Sequence, residues 1–281
     1  MSIIKLASRG WYHSIGNVTE QLHQSGFPQA LIQAFQRAFT FDSALILIYR
    51  QDSVPEVVIE QDISGRIEKK GEMRYYVDGI YLLDPFYQLA MQQPQPGLYT
   101  LKDVAPDHFM RSEFYRRHFV YCHLKDEINY LVPIENVGTV AISIGSGRRY
   151  SSAELERFRT IEPWVISIIR SHWSQPVAEK NAASERSDLH QKLSAGFQNF
   201  GRSQLTDREC DVAYLILQGH SSKSAASKLN ISDETVKVHR RNIYKKLDIQ
   251  SQSELFSLFL SALAAWGEGG DPLEDYHARP Q

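Results

Sequence analysis

Cysteine is scarce in this chain of 281 residues, which contains only Cys122 and Cys210. The two lie far apart in the sequence and in different predicted domains, so we expect no disulfide and a reducing compartment. The N-terminus lacks an apolar stretch long enough for a signal peptide. The longest apolar run, 255–266, is interrupted by two serines and is too short to span a bilayer. These absences predict a cytoplasmic protein with no membrane partner.

The chain also lacks a large excess of positive or negative charge, and it lacks catalytic motifs. The net charge is −2 with histidine neutral, so the whole chain is not a basic coat for nucleic acid. The ten histidines are scattered. The closest pair, His118 and His123, lacks further ligands and is more typical of structural or surface residues than of a zinc site. No GxxxxGK[ST] loop and no Ser–His–Asp or Cys–His order is present, so we predict no catalytic residue, metal or cofactor.

The length of the chain allows two domains, and 42% of its residues are apolar. Residues 174–203 are polar and rich in Ser, Gln and Ala, which indicates a linker that is partly helical between 178 and 193. The linker separates a first domain, 1–173, from a second domain, 204–266. The Gly, Pro and acidic content of 267–281 predicts a flexible tail.

A stretch near the C-terminus, 232–247, concentrates positive charge on one side of a predicted helix. At about 100° per residue, Val236, Ile243 and Leu247 share an apolar stripe. Five Lys or Arg residues and no Asp or Glu lie between 235 and 247. One side of this helix is therefore suited to pack in a core, and the other side to meet a polyanion.

Helix start signals surround this basic helix. Thr206 and Glu209 form a capping box that begins a helix about 25 residues upstream. A short helix with two alanines follows at 222–229, and Ser232 caps the basic helix. A second capping box begins a fourth helix at 251–266. Small residues in the second helix let it lie close to its neighbour, as a helix-turn-helix requires.

This order of residues resembles the LuxR/FixJ-type DNA-binding domain. The matching segments are Leu205–Glu209, Gly219, the Ala-containing helix 222–229 and Ile231–Leu247. Many positions agree in order and spacing, which makes the resemblance specific. It implies an all-α four-helix helix-turn-helix domain that binds double-stranded operator DNA. It also implies pairing through the fourth helix, and hence a homodimer on a two-fold operator.

The outer face of the basic helix supplies the candidate DNA contacts. Lys237, Val238 and Arg241 are assigned to the bases, because Lys and Arg can donate to guanine and valine can touch a thymine methyl. Phosphate contacts are assigned to polar residues at the helix starts and along the basic helix. They are Ser222, Ser232, Thr235, His239, Arg240, Tyr244 and Lys245. For His239 and Tyr244 the alternative is inward packing.

The fourth helix carries more apolar residues than one packed face of a small domain needs. They include Leu255, Phe256, Leu258, Phe259, Leu260 and Leu263. The excess indicates a partner surface, and the resemblance makes that partner a second copy of this chain. The alternative is that the excess packs on the N-terminal domain.

The first domain alternates between strand and helix patterns. Strands are predicted at 44–49, 56–61, 98–101, 128–134 and 139–144, the last two as a hairpin. Helices are predicted at 18–39 with a break at 26–28, at 74–91 with an interruption near 84–85, at 108–118, and at 152–172. The outcome is an α+β domain, an antiparallel sheet flanked by helices. Its order resembles PAS/GAF-like sensor domains, which implies that a small molecule binds between sheet and helices.

An aromatic cluster around Asp84 is the candidate ligand site. Tyr75 stands nine residues before Asp84, and a proline follows, as in the pocket motif of the autoinducer-binding domain of quorum-sensing LuxR proteins. The resemblance implies that Asp84 accepts a bond from a ligand amide, although Gly71 stands where that family has a tryptophan. Aromatic rings with one carboxylate suit an amide or amine ligand, so we assign Tyr75, Tyr76, Asp84 and Tyr87 to ligand binding. The alternative is that the rings are core and Asp84 caps a turn.

Three functions are compatible with these patterns. The first is a ligand-responsive transcription factor with an unidentified effector, which would engage RNA polymerase if it is an activator. The second is a constitutive DNA-binding regulator whose first domain serves dimerisation or protein interaction. The third is an enzyme fused to a DNA-binding module. The aromatic cluster favours the first, and the missing catalytic patterns count against the third. A phosphorylated receiver domain is excluded because no acidic pair follows a first strand.

Overall fold

The structure is a computed structural model that describes residues 5–65, 76–120, 122–174, 180–266 and 270–278. Its strands are β1 (Ser43–Arg50), β2 (Ser53–Asp62), β3 (Gly97–Thr100), β4 (Asp126–Ile134) and β5 (Gly138–Ser146). Helices of the first part are α1 (Arg9–Glu20), α2 (Phe27–Ala38), α3 (Pro85–Met91), α4 (Leu101–Val104) and α5 (Ser152–Trp173). Those of the second part are α6 (Lys180–Asn199), α7 (Asp207–Leu217), α8 (Ser222–Leu229), α9 (Asp233–Lys246), α10 (Gln252–Ala265) and α11 (Pro272–Ala278).

The strands form one antiparallel sheet in the order β2-β1-β5-β4-β3. β4 and β5 make the predicted hairpin, in which Ile134 pairs with Gly138. The turn holds Asn136 and Gly138 at φ values of 61° and 114°. A Cβ on Gly138 would lie 2.3 Å from the carbonyl oxygen of Tyr49. Glycine is therefore required where the start of β5 lies against Tyr49 of β1.

Alternation along the strands gives the sheet two different faces. Ile46 and Ile48 of β1 pack with α1, α2 and α5 in one apolar cluster. Leu47 and Tyr49 point the other way, into a cluster formed with residues 76–124. The prediction of an antiparallel sheet flanked by helices is confirmed, and the second face of the sheet borders an internal cavity.

The helices of the first domain differ from the prediction in several places. The described part of the predicted helix 74–91 has a 3-10 helix (Ile80–Leu83) before α3, and α4 was not predicted. α1 begins already at Arg9, where Ser8 accepts a bond from the Trp11 amide and caps the helix. The helix predicted at 108–118 is wrong: a 3-10 turn and a π-helix (Tyr115–Val120) stand there instead. The cause is Ser112, which is extended between them and accepts a bond from the Tyr115 amide at 3.1 Å. A side chain that bonds the backbone in this way competes with a continuous helix.

The segment predicted as a linker, 174–203, contains the helix α6. Its buried residues His190 and Leu193 face the rest of the protein, and the Tyr81 hydroxyl meets the His190 ring at 2.8 Å. α6 also lies along β2. The helix is longer than predicted because it has tertiary contacts on both of its sides, which stabilise it beyond its local propensity.

The prediction of a flexible tail over 267–281 is wrong for the part of it that the structure describes. There α11 begins at Pro272, and Leu273 is fully buried. Asp271 accepts bonds from the backbone amides of Gly201 at 2.9 Å and Ser203 at 2.8 Å. A buried carboxylate satisfied by backbone donors joins the tail to the end of α6, which composition could not reveal.

The second domain has the predicted four consecutive helices, α7 to α10. Thr206 and Glu209 form the expected capping box of α7, and Gly219 ends that helix at a φ of 93°. The apolar stripe of α9 is buried as predicted, with Val236 and Ile243 fully inside. These residues and the second face of the sheet belong to one continuous apolar cluster, so the two domains are packed against each other.

Candidate DNA-binding face and sensor cavity

The candidate DNA-binding face is carried by α9, which we call the recognition helix. Ser232 caps it by accepting a bond from the Thr235 amide at 3.0 Å, and Asp233 and Glu234 lie in its first turn, where the helix dipole favours acids. Lys246 at its other end meets the buried carboxylate of Glu209 at 2.6 Å. The recognition helix is thus fixed to α7 by packing and by an ion pair that the sequence did not indicate.

The three residues assigned to the bases lie together on the exposed side of the recognition helix. Lys237 and Arg241 are exposed, and Val238 keeps 48% of its surface exposed. Lys237 makes ion pairs with Asp233 at 2.9 Å and with Glu234 at 2.8 Å. The hydrogen bonds that Lys237 donates to Glu234 and Asp233 raise its pKa. The lysine is charged and held along the helix, while the Arg241 side chain makes no contact of this kind among the described residues.

The residues assigned to phosphates fall into different environments. Ser232 and Lys245 are exposed, and Thr235 is half-buried. Arg240 donates to the Tyr244 hydroxyl at 3.0 Å and stands over its ring. His239 is half-buried, and its Nδ1 is buried without a hydrogen-bond partner among the described residues. Arg240 and Tyr244 therefore form one unit at the edge of the face.

The start of α8, the predicted phosphate site near Ser222, contacts the first domain. Ser221 is the N-cap of α8, and Asp107 accepts bonds from its amide at 2.9 Å and from its hydroxyl. Partial burial raises the pKa of Asp107, but the bonds from Ser221 outweigh it and hold the pKa below its usual value. A carboxylate of the first domain thus occupies the position where a DNA phosphate was expected.

Further contacts close the same interdomain interface. The His108 amide donates to the Gly219 carbonyl at 3.1 Å. Arg117 donates to the Ser257 hydroxyl at 2.7 Å and stands 5.3 Å from the Phe256 ring centre. A Cβ on Gly219 would lie 2.9 Å from Phe109, so glycine permits the close approach as well as the end of α7. We refer to this arrangement, with Asp107 on Ser221, as the docked state.

Much of the apolar surface of the fourth helix, α10, is buried against other parts of the same chain. Phe259 is fully buried and packs edge-on against Phe197 at 4.8 Å and Phe200 at 5.2 Å. Leu258, Leu260 and Leu263 are partly buried. Phe256 lies under Arg117 of the first domain, as the alternative for this helix expects. Phe259 instead packs on the segment that was predicted as a linker.

A cavity of about 40 Å³ lies between the second face of the sheet and the segments around Tyr76 and His118. Carboxylates, hydroxyls and apolar groups share its wall. The lining residues are Ser43, Ala44, Leu45, Leu47, Tyr49, Glu60, Gln61, Asp62, Tyr76, Asp84, His118, Phe119, Cys122, Leu124, Glu127 and Ser143.

Asp84 both caps a helix and lines this cavity. Its Oδ1 accepts a bond from the Phe86 amide at 2.8 Å at the start of α3, and its Oδ2 accepts one from the Tyr76 hydroxyl at 2.6 Å. Burial raises the pKa of Asp84 to about 6, against the opposing effect of these bonds. The two interpretations of this aspartate are therefore compatible.

The aromatic residues assigned to the ligand site separate in the structure. Tyr76 lines the cavity, and its hydroxyl meets that of Tyr49 at 3.0 Å. Tyr87 does not line it: the ring packs edge-on against Tyr49 and Tyr81 in the core. The assignment of Tyr87 as a cavity wall is wrong, because α3 turns its side chain towards the sheet. Tyr75 lies outside the described residues.

Glu127 is the cavity residue that the sequence analysis missed. It lies on β4 and is 9% exposed, and its Oε1 accepts bonds from Asn129 at 2.7 Å and Ser143 at 2.6 Å. Burial and the charge of Asp84 raise its pKa to about 7. The available signal was alternation: Ile128 and Tyr130 occupy one face of β4, so Glu127 must point to the other.

His118 faces the carboxylates from the π-helix. Burial lowers its pKa to about 4, so its ring is neutral at physiological pH. The ring of Tyr76 lies 5.5 Å away and that of Phe114 5.4 Å away. The cavity thus combines two buried carboxyl groups with a neutral imidazole, and no Lys or Arg side chain lines it among the described residues.

An exposed basic helix on a helix-turn-helix scaffold, docked to a cavity-bearing α+β domain, defines a two-domain DNA-binding regulator. The model of the bacterial regulatory proteins of the luxR family matches residues 203–259. An HTH-type transcriptional regulator from the exeN 3′ region of Aeromonas salmonicida is 33% identical over 187 residues, which are 64% of this chain and 94% of that protein. The chain belongs to the luxR family of bacterial transcriptional regulators.

Two further comparisons concern the separate domains. The nitrate/nitrite response regulator protein NarP of Escherichia coli is 49% identical over 63 residues, 22% of this chain and 29% of NarP. The crystal structure of the VqsR LBD domain from Pseudomonas aeruginosa has a TM-score of 0.54 and 27% identity, over 60% of this chain and all of that one. The first domain therefore has the fold of that LBD domain, and the family consists of regulators, which sets aside the enzyme hypothesis.

Among the described helices, none has the length and apolarity that a membrane span needs.

Proposed function

We propose that this regulator binds operator DNA through the recognition helix and changes its DNA affinity when a small molecule occupies the cavity of the first domain. The observation that carries the DNA part is the grouping of Lys237, Val238 and Arg241 on one exposed side of a helix whose opposite side is fully packed. Two cations flanking an apolar tip suit the major groove, where guanine acceptors and thymine methyls are presented together.

Phosphate contacts from Thr235, His239, Arg240, Tyr244 and Lys245 would then set the orientation of the helix on the duplex. Arg240 supports this role, because its bond to Tyr244 holds the guanidinium at the border of the exposed face. Ser222 and Ser232 stand at helix starts, where free amides and the helix dipole attract anions. We further propose that two copies of the chain bind a two-fold operator in the cytoplasm. If the protein is an activator, RNA polymerase is a further partner.

The docked state supports a mechanism for the response. Asp107 accepts bonds from the amide and hydroxyl of Ser221 at the start of α8. These two donors therefore cannot also donate to a phosphate oxygen. We infer that the docked state binds DNA less well than a released state. A ligand shifts this balance by no more than its difference in affinity for the two states.

A selection experiment tests the function. Random duplexes are selected with the full chain and the enriched sequences are footprinted. We expect a two-fold symmetric motif whose half-sites are about 10 base pairs apart or a multiple of that. Enrichment without sequence preference would contradict specific operator binding. An affinity that no occupant of the cavity alters would favour the constitutive regulator instead.

A further inference from the structure

The cavity of the first domain is more acidic than a pocket for a neutral ligand needs. Asp84 and Glu127 both line it, one from the start of α3 and the other from β4. Glu60 stands at its exposed rim, and burial together with Asp62 raises the pKa of Glu60. Burial disfavours ionisation of both Asp84 and Glu127, and the charge of Asp84 adds to this effect at Glu127, so a cation inside would relieve a cost already present.

Around Glu127, hydrogen-bond acceptors outnumber donors, which also favours a cationic donor. Oε1 of Glu127 accepts two bonds, whereas no described residue donates to Oε2. Asn129 is 1% exposed, and its Oδ1 is buried without a donor. The Asn129 amide nitrogen donates to Glu127, so the other end of the amide is the oxygen, which can only accept a hydrogen bond. Buried acceptors without donors are uncommon in proteins, and the Asn129 oxygen, beside the cavity residue Glu127, makes this side of the sheet rich in acceptors.

Strand register explains why these groups meet. Asn129 pairs with Ser143 across β4 and β5, and Ser143 pairs with Leu45 across β5 and β1. Leu45 in turn pairs with Glu60 of β2, so one row across four strands carries polar groups on the cavity face. Of the small residues on β5, Ser143 lines the cavity.

Size and ligand geometry restrict the cation. The cavity is small, about 40 Å³, which favours a compact ammonium head group over a long acyl chain. Among the described residues, no group of three His, Cys, Asp or Glu side chains is arranged to hold a metal ion. A larger open groove of about 680 Å³ lies between the domains, but it has no comparable pair of buried carboxylates.

We infer that the effector is a small primary amine whose ammonium group is bound between Asp84 and Glu127. This inference rests on the proposed sensing function and names the ligand class of that site. Binding favours the carboxylate form of both groups and places N–H donors on Glu127 Oε2. Charge-assisted bonds of this kind are about twice as strong as neutral ones.

The inference predicts a pH dependence of binding. The pKa of Asp84 is about 6 and that of Glu127 about 7, while an alkylamine stays protonated. Affinity should therefore rise from pH 6 to pH 8, with release of protons on binding. The titratable groups that face the site are Tyr49, Glu60, Asp62, Tyr76, Asp84, His118, Cys122 and Glu127. Of these the two central carboxyls change charge most within that interval.

The experiment compares n-propylamine with its neutral isostere n-propanol and with N-butanoyl homoserine lactone, using NMR titration of the full chain. We expect the amine to bind about tenfold or more tightly than the alcohol at pH 7.5. Glu127→Gln keeps the shape and should remove most of that preference. Glu135→Gln, which changes an exposed acid in the β4–β5 turn, is the matched control and should leave the preference intact.

The outcomes separate this inference from the sensing function. Equal binding of amine and alcohol, or binding of the lactone alone, overturns the amine class and leaves sensing in place. Amine binding that depends on Glu127 but leaves operator affinity unchanged upholds the ligand class and rejects the regulatory function. If Glu127→Gln fails to fold, as judged by circular dichroism, the pH dependence of amine binding to the native chain decides: a flat or falling affinity from pH 6 to pH 8 overturns the inference.

Discussion

Asp107→Ala should increase the affinity of the full chain for operator DNA. The carboxylate receives two bonds from Ser221, one from the amide at 2.9 Å and one from the hydroxyl. A hydrogen bond to a charged group contributes about 1.5–3 kcal/mol net. Because Asp107 is exposed, we take about 1.5 kcal/mol for the pair. The docked state would then weaken by about tenfold relative to the released state.

The gain in DNA affinity has an upper limit. If the docked state dominates, apparent affinity rises by the same factor, about tenfold; if the released state is already common, it rises less. The bond from His108 to Gly219 and the contact of Arg117 with Phe256 remain in the variant, so docking is weakened and not abolished. Removal of the carboxylate also frees the start of α8 for a phosphate oxygen.

Fluorescence anisotropy with a selected operator duplex measures the effect. Removing any acid makes the protein less repulsive to DNA, so Glu135→Ala, which removes an exposed acid elsewhere in the first domain, is the control. We expect a clear gain in operator affinity for Asp107→Ala and little change in affinity for Glu135→Ala. Equal gains in the two variants, or no gain in either, would refute a role of the docked state in restraining DNA binding.

Other predictions concern the recognition helix, the cavity and the tail. Arg241→Ala should cost about 1–3 kcal/mol and relax the preference at one base pair; a uniform loss over all duplexes would reassign Arg241 to the phosphates. Lys245→Ala should lower the salt slope of binding by about one unit without altering sequence preference, and an unchanged slope counts against its role. In urea unfolding between pH 5 and pH 8, wild type should lose stability relative to Glu127→Gln as pH rises, since the raised pKa of Glu127, about 7, favours the protonated folded state. His118, with its pKa near 4, acts in the opposite direction in both proteins, so the difference between them isolates Glu127; a constant difference contradicts the prediction. Leu273→Ala should destabilise the second domain by about 2–5 kcal/mol in the same assay, whereas a tail without a structural role would show no loss.

Local patterns in the sequence determined the DNA-binding domain. Capping by Thr206 and Ser232 depends on residues three positions apart, and the stripe of Val236 and Ile243 depends on helical period. Alternation over β4 and β5 similarly predicted the hairpin. Each of these signals lies within about one helical turn or one strand pair, so it can be recognised without knowing what packs against it.

Tertiary structure decided the remaining features, because they join residues that are distant in the chain. Asp107 and Ser221 are 114 residues apart, and nothing near either residue indicates their bond. Asp84 looked like a cap or a ligand residue and is positioned for both, since it caps α3 and lines the same cavity as Glu127. Acidic and glycine-rich composition predicted a free tail, but a buried Leu273 and backbone donors to Asp271 supplied the contacts that order it. Local sequence sets capping and periodicity; which faces and loops meet depends on burial of the whole chain.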